Sequence, residues 1–197
     1  MTFAPTQPKY TVDDSTGIAT LTESHITFVK FPLGYSLMVH LKPGFKFDGA
    51  SVPKEDLEDS RVVKRICKFI AKHYPDKDYK ETLNYLIGTP FEMPRLIAAI
   101  VHDALYGMKW KIRWLCDRVY RRILIDLGYD RVRLEIEYGG IRLLGGKNWD
   151  AVTKEEKKNT RKLSDVKILR VDEVWKEKIK LLTYKMRAGE PNPLGLG

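Results

Sequence analysis

The spacing of apolar residues changes from a two-residue to a helical period partway along the chain. Ile18-Ala19-Thr20-Leu21, Ile26-Thr27-Phe28-Val29-Lys30-Phe31 and Tyr35-Ser36-Leu37-Met38-Val39-His40-Leu41 are rich in β-branched and aromatic residues and predict three strands. Pro32-Leu33-Gly34 supplies a tight connection between the last two, so an antiparallel hairpin or meander is the simplest arrangement. From Ser60 to about Lys72, Val62, Val63, Ile66, Cys67, Phe69 and Ile70 recur at helical spacing, with Lys64, Arg65, Lys68 and Lys72 mostly opposite. Pro94 can open a helix whose interior, Leu96, Ile97, Ile100, Val101, Ala104 and Leu105, is almost wholly apolar. A partner from about Ile112 to Leu127 buries Leu115, Cys116, Val119, Ile123 and Leu127, and stops at Gly128.

Val132 to Leu144 alternates locally at Glu135-Ile136-Glu137-Tyr138, but the wider spacing suits a helix, which is favoured. Residues Asp150 to about Leu163 read as a Lys/Glu/Thr-rich linker. Val171 to Arg187 then reads as an amphipathic helix with Val174, Trp175, Ile179, Leu182 and Met186 on one side, before a loose tail. The expectation is an α+β fold: a small N-terminal antiparallel sheet packed on a helical core with a central helical hairpin. Residues 1–149 form one domain with a Pro-rich N-terminal arm, and 150–197 a helical extension.

At 197 residues with 43% hydrophobic content the chain can bury a real core. It has no run of roughly 18 apolar residues and no secretion-type N-terminus, which predicts a protein with no membrane span, made and kept in the cytoplasm of the cell that produces it. Cys67 and Cys116 fall at apolar helical positions and read as buried free thiols. A net charge of +9 fits attraction to nucleic acid, acidic proteins or anionic wall polymers without choosing among them.

The chemistry concentrates in His102-Asp103-Ala104-Leu105-Tyr106, in Asp117, and in Gly44-Phe45-Lys46-Phe47-Asp48-Gly49-Ala50-Ser51-Val52-Pro53. In an antiparallel hairpin the midpoint of positions 102 and 117 falls inside the Gly107–Lys111 connection, so His102 faces Asp117 across helices about 8–10 Å apart. His102, Asp117 and Asp48 can then hold Zn, Mn or Fe and activate water, with Asp103 assisting and Tyr106 or Ser51 orienting a substrate. Without metal, His102 and Asp117 make a general-base pair. The plain structural alternative is a buried polar clasp between helices with Tyr106 packed over it. For the upstream cluster it is a helix cap by Asp48 or Ser51. Lys109, Trp110, Lys111, Arg113, Arg118, Arg121 and Arg122 give the hairpin a basic face that can follow phosphates or simply be solvated.

At Gly44 to Pro53, His102 to Tyr106 and Asp117 the sequence resembles a phage and prophage family, the domain-of-unknown-function family numbered 1353. The likeness spans roughly Tyr35 to Gly146 and implies a phage or prophage origin without implying an activity. It leads to the expectation of a virion or tail-associated component with other virion proteins as partners. The alternative is a metal-dependent hydrolase acting on wall peptide, glycan or phosphoester in lysis, entry or counter-defence. His73, His102-Asp103 and a later Asp also invite comparison with HD phosphohydrolases, but Asp117 follows too soon and His73 reads as an exposed helix-end residue.

Overall fold

The computed structural model describes residues 7–48, Lys68, Lys72, Met93, 95–170, 172–174, Lys176, Glu177 and Lys180. Its elements in chain order are β1 (Tyr10–Val12), β2 (Ala19–Leu21), β3 (His25–Phe31), β4 (Tyr35–Leu41), β5 (Lys46–Phe47), α1 (Arg95–Gly107), α2 (Arg113–Asp126), α3 (Arg131–Ala151), α4 (Lys154–Leu163) and β6 (Ser164–Arg170). The fold is α+β, with two antiparallel three-stranded sheets ordered β1-β2-β5 and β3-β4-β6.

The expected hairpin is β3 and β4, in register from Phe31↔Tyr35 to His25↔Leu41. Its Pro32–Gly34 turn reverses the chain through left-handed Leu33 (φ 67°) and Gly34 (φ 78°). Buried Val29, Leu37, Val39 and Leu41 join Leu96, Ile97, Ile100, Val101, Val119, Ile123 and Leu124 of α1 and α2 in one continuous core. Ala19, Leu21 and Phe47 of the smaller sheet, with Phe45 just before β5, belong to the same core, so one hydrophobic cluster holds both sheets and the helical hairpin together. The β2–β5 pairing Ala19↔Phe47 ends one residue before Asp48 and fixes where that carboxylate leaves the sheet.

The helix ends follow from local chemistry. At the end of α2, Gly128 takes φ +72°, while its N–H reaches Ile125 O at 3.1 Å and Tyr129 N–H reaches Leu124 O at 2.9 Å. This double bond satisfies carbonyls the helix would otherwise leave unpaired. At the start of α3, the Asp130 side chain accepts from Arg133 N–H at 2.9 Å. The helix favoured over a strand for Val132 to Leu144 is present and runs on to Ala151.

Two expectations for the C-terminal third are corrected. The supposed linker contains a helix, α4, opened by Thr153, whose side chain accepts from Glu156 N–H at 3.1 Å. The segment after it is β6, which pairs with β4 along its whole length, from Leu41↔Ser164 to Tyr35↔Arg170. Residues 164–170 therefore make β4 the middle strand of its sheet. Past β6, residues 172–174, Lys176, Glu177 and Lys180 are helical, as expected for that stretch. Cys67, His73, Pro94 and most of the Ser60–Lys72 helix lie outside the described residues, where only Lys68 and Lys72 appear, both helical and exposed.

The α4 helix closes onto the end of α1 at Gly107, where a β-carbon would lie 2.6 Å from Thr160 Oγ1 and 3.1 Å from its Cγ2. Alanine ordinarily gains up to about 1 kcal/mol over glycine in a helix, whereas forced overpacking costs about 1–3 kcal/mol. Gly107→Ala is therefore expected to destabilise the protein in urea unfolding, and Thr160→Ala in the same chain to recover most of the loss. Equal costs with and without Thr160→Ala would mean that α4 does not pack there.

Candidate functional site

Three residues singled out in the sequence come together from two helices, and a third helix adds a partner. His102 and Tyr106 lie one turn apart on α1, and Asp117 faces them from the first half of α2. His102 Nε2 lies 3.0 Å from Asp117 Oδ1, and Tyr106 Oη donates to the same oxygen at 2.5 Å. From α3, Arg142 Nη1 donates to Asp117 Oδ2 at 2.6 Å. Asp117 has no exposed surface and His102 is 9% exposed. Both oxygens of a fully buried carboxylate are thus occupied by donors from two other helices.

Aromatic rings wall the group in. Tyr106 stacks at a tilt on His102, with centroids 4.0 Å apart, and meets Trp149 edge-on at 5.1 Å. A β-carbon on Gly145 would lie 2.8 Å from Tyr106 Oη, so only glycine lets α3 approach closely enough for Arg142 and Trp149 to reach their partners.

A second buried carboxylate adjoins the first. Glu137 of α3 accepts from Tyr120 Oη at 2.9 Å and Tyr129 Oη at 2.6 Å, and its Oε2 is 3.3 Å from Arg95 Nε. The Tyr120 ring also packs edge-on against His102 at 5.5 Å, joining the two polar groups. Burial first, then Glu137 through its charge and its hydrogen bonds, pushes the Tyr120 and Tyr129 phenols upward, so both stay protonated as donors. Burial likewise raises the Cys116 thiol to about 12, with Asp117 adding to the effect. Cys116 is a buried free thiol, as expected, and its Sγ donates to Trp110 O at 3.1 Å.

Burial alone would raise the Asp117 carboxyl, but hydrogen bonds from His102, Tyr106 and Arg142 outweigh it and hold the group below the ordinary aspartate value. Its contribution to stability is complete above that ordinary value and is lost as pH falls through the lower, folded-state one. Asp103, the next residue after His102, has the opposite environment. Burial, and then the neighbouring Asp48 carboxylate, push its carboxyl well above the usual range, while the Asp48 backbone N–H partly offsets this. Asp103 Oδ2 is buried and has no hydrogen-bond partner among the described residues.

The five described candidates therefore fall into two groups, His102–Tyr106–Asp117 and Asp48–Asp103. Among the described residues no three His, Cys, Asp or Glu side chains come together as a metal shell. Ser51 lies outside the described residues. Sequence reasoning missed Arg142, Trp149, Arg95 and Glu137. The available signal was the series Tyr138, Arg142, Gly145 and Trp149, spaced four, three and four along one face of α3.

No family model, curated protein or solved structure matches the chain. Among the described residues no helix is long and apolar enough to cross a membrane.

Removing one partner of a buried, hydrogen-bonded charge group leaves the others uncompensated, at a cost of about 3–5 kcal/mol. Asp117→Ala is expected to fall in that range in urea unfolding. Arg142→Ala, whose side chain is one-third exposed, should cost about 1 kcal/mol. Equal costs would mean that Asp117 is not the hub. For Asp103 the sign reverses: the folded state keeps a proton that the unfolded chain releases above the ordinary aspartate value, so its stabilising contribution is complete below that value and falls as pH rises from there to the higher folded-state one. Asp103→Asn should then raise the unfolding midpoint at pH 7 and leave it unchanged near pH 3. A lower midpoint at pH 7 would contradict the assignment.

Proposed function

We propose that this chain is a component of a bacteriophage particle, virion or tail-associated, in which the His102–Asp117 group is an architectural clasp. The observation that carries this reading is the saturation of Asp117. A carboxylate with no exposed surface, held through both oxygens by His102, Tyr106 and Arg142, is committed to joining helices and is poorly placed to meet a substrate. The resemblance of Gly44 to Pro53, His102 to Tyr106 and Asp117 to a phage family supports the setting. In this reading the protein is synthesised in the host cytoplasm, assembles with other virion proteins, and uses its net charge of +9 for docking.

A second reading, a metal-dependent hydrolase of wall peptide, glycan or phosphoester, draws on the other group. Asp103 carries a carboxyl raised by burial and by Asp48, the kind of perturbation that acid–base sites use. In that version Asp48 and Asp103 share a proton or help to hold a divalent ion, with further ligands supplied from elsewhere.

Mass spectrometry of density-purified particles from the phage encoding this chain separates the readings. A virion component is expected at a fixed copy number per particle that survives high-salt washing, and chain found only in the lysate supernatant would contradict it. The hydrolase reading requires near-stoichiometric zinc, manganese or iron in protein purified without chelator. It also requires turnover that Asp103→Asn abolishes in a folded protein.

A further inference from the structure

A cleft of about 450 Å³ opens between the α1–α2 turn and the α4–β6 junction, on surface that the buried clasps do not use. Lys109, Trp110 and Lys111 line it from the turn, and Arg161, Asp165 and Lys167 from the other side. Four cations thus face one carboxylate. That carboxylate is already engaged, with Asp165 Oδ2 lying 3.4 Å from Lys42 Nζ and 3.8 Å from His40 Nδ1. Lys167 is paired with Glu177 at 2.6 Å. Lys109, Lys111 and Arg161 have no carboxylate within ion-pair distance among the described residues.

The helical face that the sequence suggested is different in kind. Arg121 is bound to Glu135, Arg122 lies 2.8 Å from Asp126, and Arg118 lies over the Trp114 ring at 4.7 Å. Lys109 has an aromatic neighbour of its own, its Nζ lying 6.0 Å from the centre of the Trp149 ring, so among the described residues Lys111 and Arg161 carry the least compensated charge at the cleft. The backbone adds an independent observation, because Lys109 (φ 47°) and Lys111 (φ 55°) both take the left-handed conformation that glycine adopts at lower cost. The end of α1 accounts for Lys109, whose N–H bonds Tyr106 O at 2.8 Å. Among the described residues nothing comparable accounts for a side chain at position 111, and non-glycine residues held there tend to mark functional loops.

We propose that this cleft binds single-stranded nucleic acid, with Lys109, Lys111 and Arg161 on successive phosphates and Trp110, half-buried against the core but lining the cleft, offering a wall on which a base stacks. An acidic peptide would satisfy the charges equally well. The aromatic side chain set among the cations favours a ligand that alternates phosphate with a flat ring. The net charge of +9 adds long-range attraction for such a polyanion. This inference stands independently of the particle assignment and uses neither buried carboxylate group.

The test is fluorescence anisotropy of a fluorescein-labelled dT12 oligonucleotide titrated with the full chain across a salt series, with polyglutamate as competitor. At about −0.7 per neutralised phosphate, three contacts give a log–log salt slope of about −2. The double substitution Lys109→Gly and Lys111→Gly relieves the backbone while removing two cations. It is expected to weaken binding at least tenfold and flatten the slope by about two-thirds, with an equal or higher melting temperature. Arg161→Gln, outside the turn, should weaken binding in the same direction. Failure of dT12 to bind at low salt, displacement by polyglutamate at matched charge, or wild-type affinity in these variants would each overturn the proposal.

Discussion

A carboxylate taken wholly out of water must find its compensation inside the protein, and Asp117 finds it across three helices. Desolvating such a charge costs several kcal/mol, which is recovered only when nearly every lone pair has a well-placed donor. His102 and Tyr106 supply two donors because they stand four residues apart on one face of α1, and Arg142 supplies the third from α3. The requirement propagates outward. The distance between α1 and α2 is set by an imidazole–carboxylate contact, α3 can come no nearer than Tyr106 permits, and glycine at position 145 is what allows that approach. Glu137 repeats the arrangement one layer away with Arg95, Tyr120 and Tyr129, and the Tyr120 ring against His102 makes the two groups one buried polar seam.

The sheets serve this helical core by closing it and by delivering one further group to its edge. Val29, Leu37, Val39 and Leu41 cover the apolar side of α1 and α2, and β6 completes the sheet by returning from the far end of the described chain. The short β2–β5 ladder ends at Phe47, so Asp48 emerges beside Asp103. The fold thus sets two carboxyl groups of opposite character, Asp117 on α2 and Asp103 on α1, on either side of the helical hairpin. In one the carboxylate is stabilised as a charge, and in the other the carboxyl is pressed toward its neutral form. Asp103 is accordingly the group on which the proposed hydrolase reading rests.

Much of this was legible in the sequence, for identifiable reasons. The β3–β4 hairpin, the α1–α2 pair and the stop at Gly128 all follow from strong periodicity bounded by turn residues, and the pairing of His102 with Asp117 followed from hairpin spacing alone. The α4 helix was missed because its ten residues, Lys154 to Leu163, bury no side chain, which leaves no apolar stripe to detect. The Thr153-x-x-Glu156 capping signature was present but carries less weight than periodicity. Strand β6 was missed because Ser164-Asp165-Val166-Lys167-Ile168-Leu169-Arg170 alternates only weakly and its pairing with β4 spans more than 120 positions, a long-range contact no local pattern encodes. Arg142 escaped for a similar reason: an arginine on a helix reads as surface until a buried acid is known to face it.

The central claim is that His102 and Asp117 act as one unit holding the helices in place. It is tested most directly by a double-mutant cycle in equilibrium urea unfolding, with His102→Ala, Asp117→Ala and the double variant measured against wild type. The expected result is a coupling energy of about 1–3 kcal/mol, with the double variant losing much less than the sum of the two single losses. Losses that add to within about 0.5 kcal/mol would show that the two residues stabilise the protein independently, and would contradict the account.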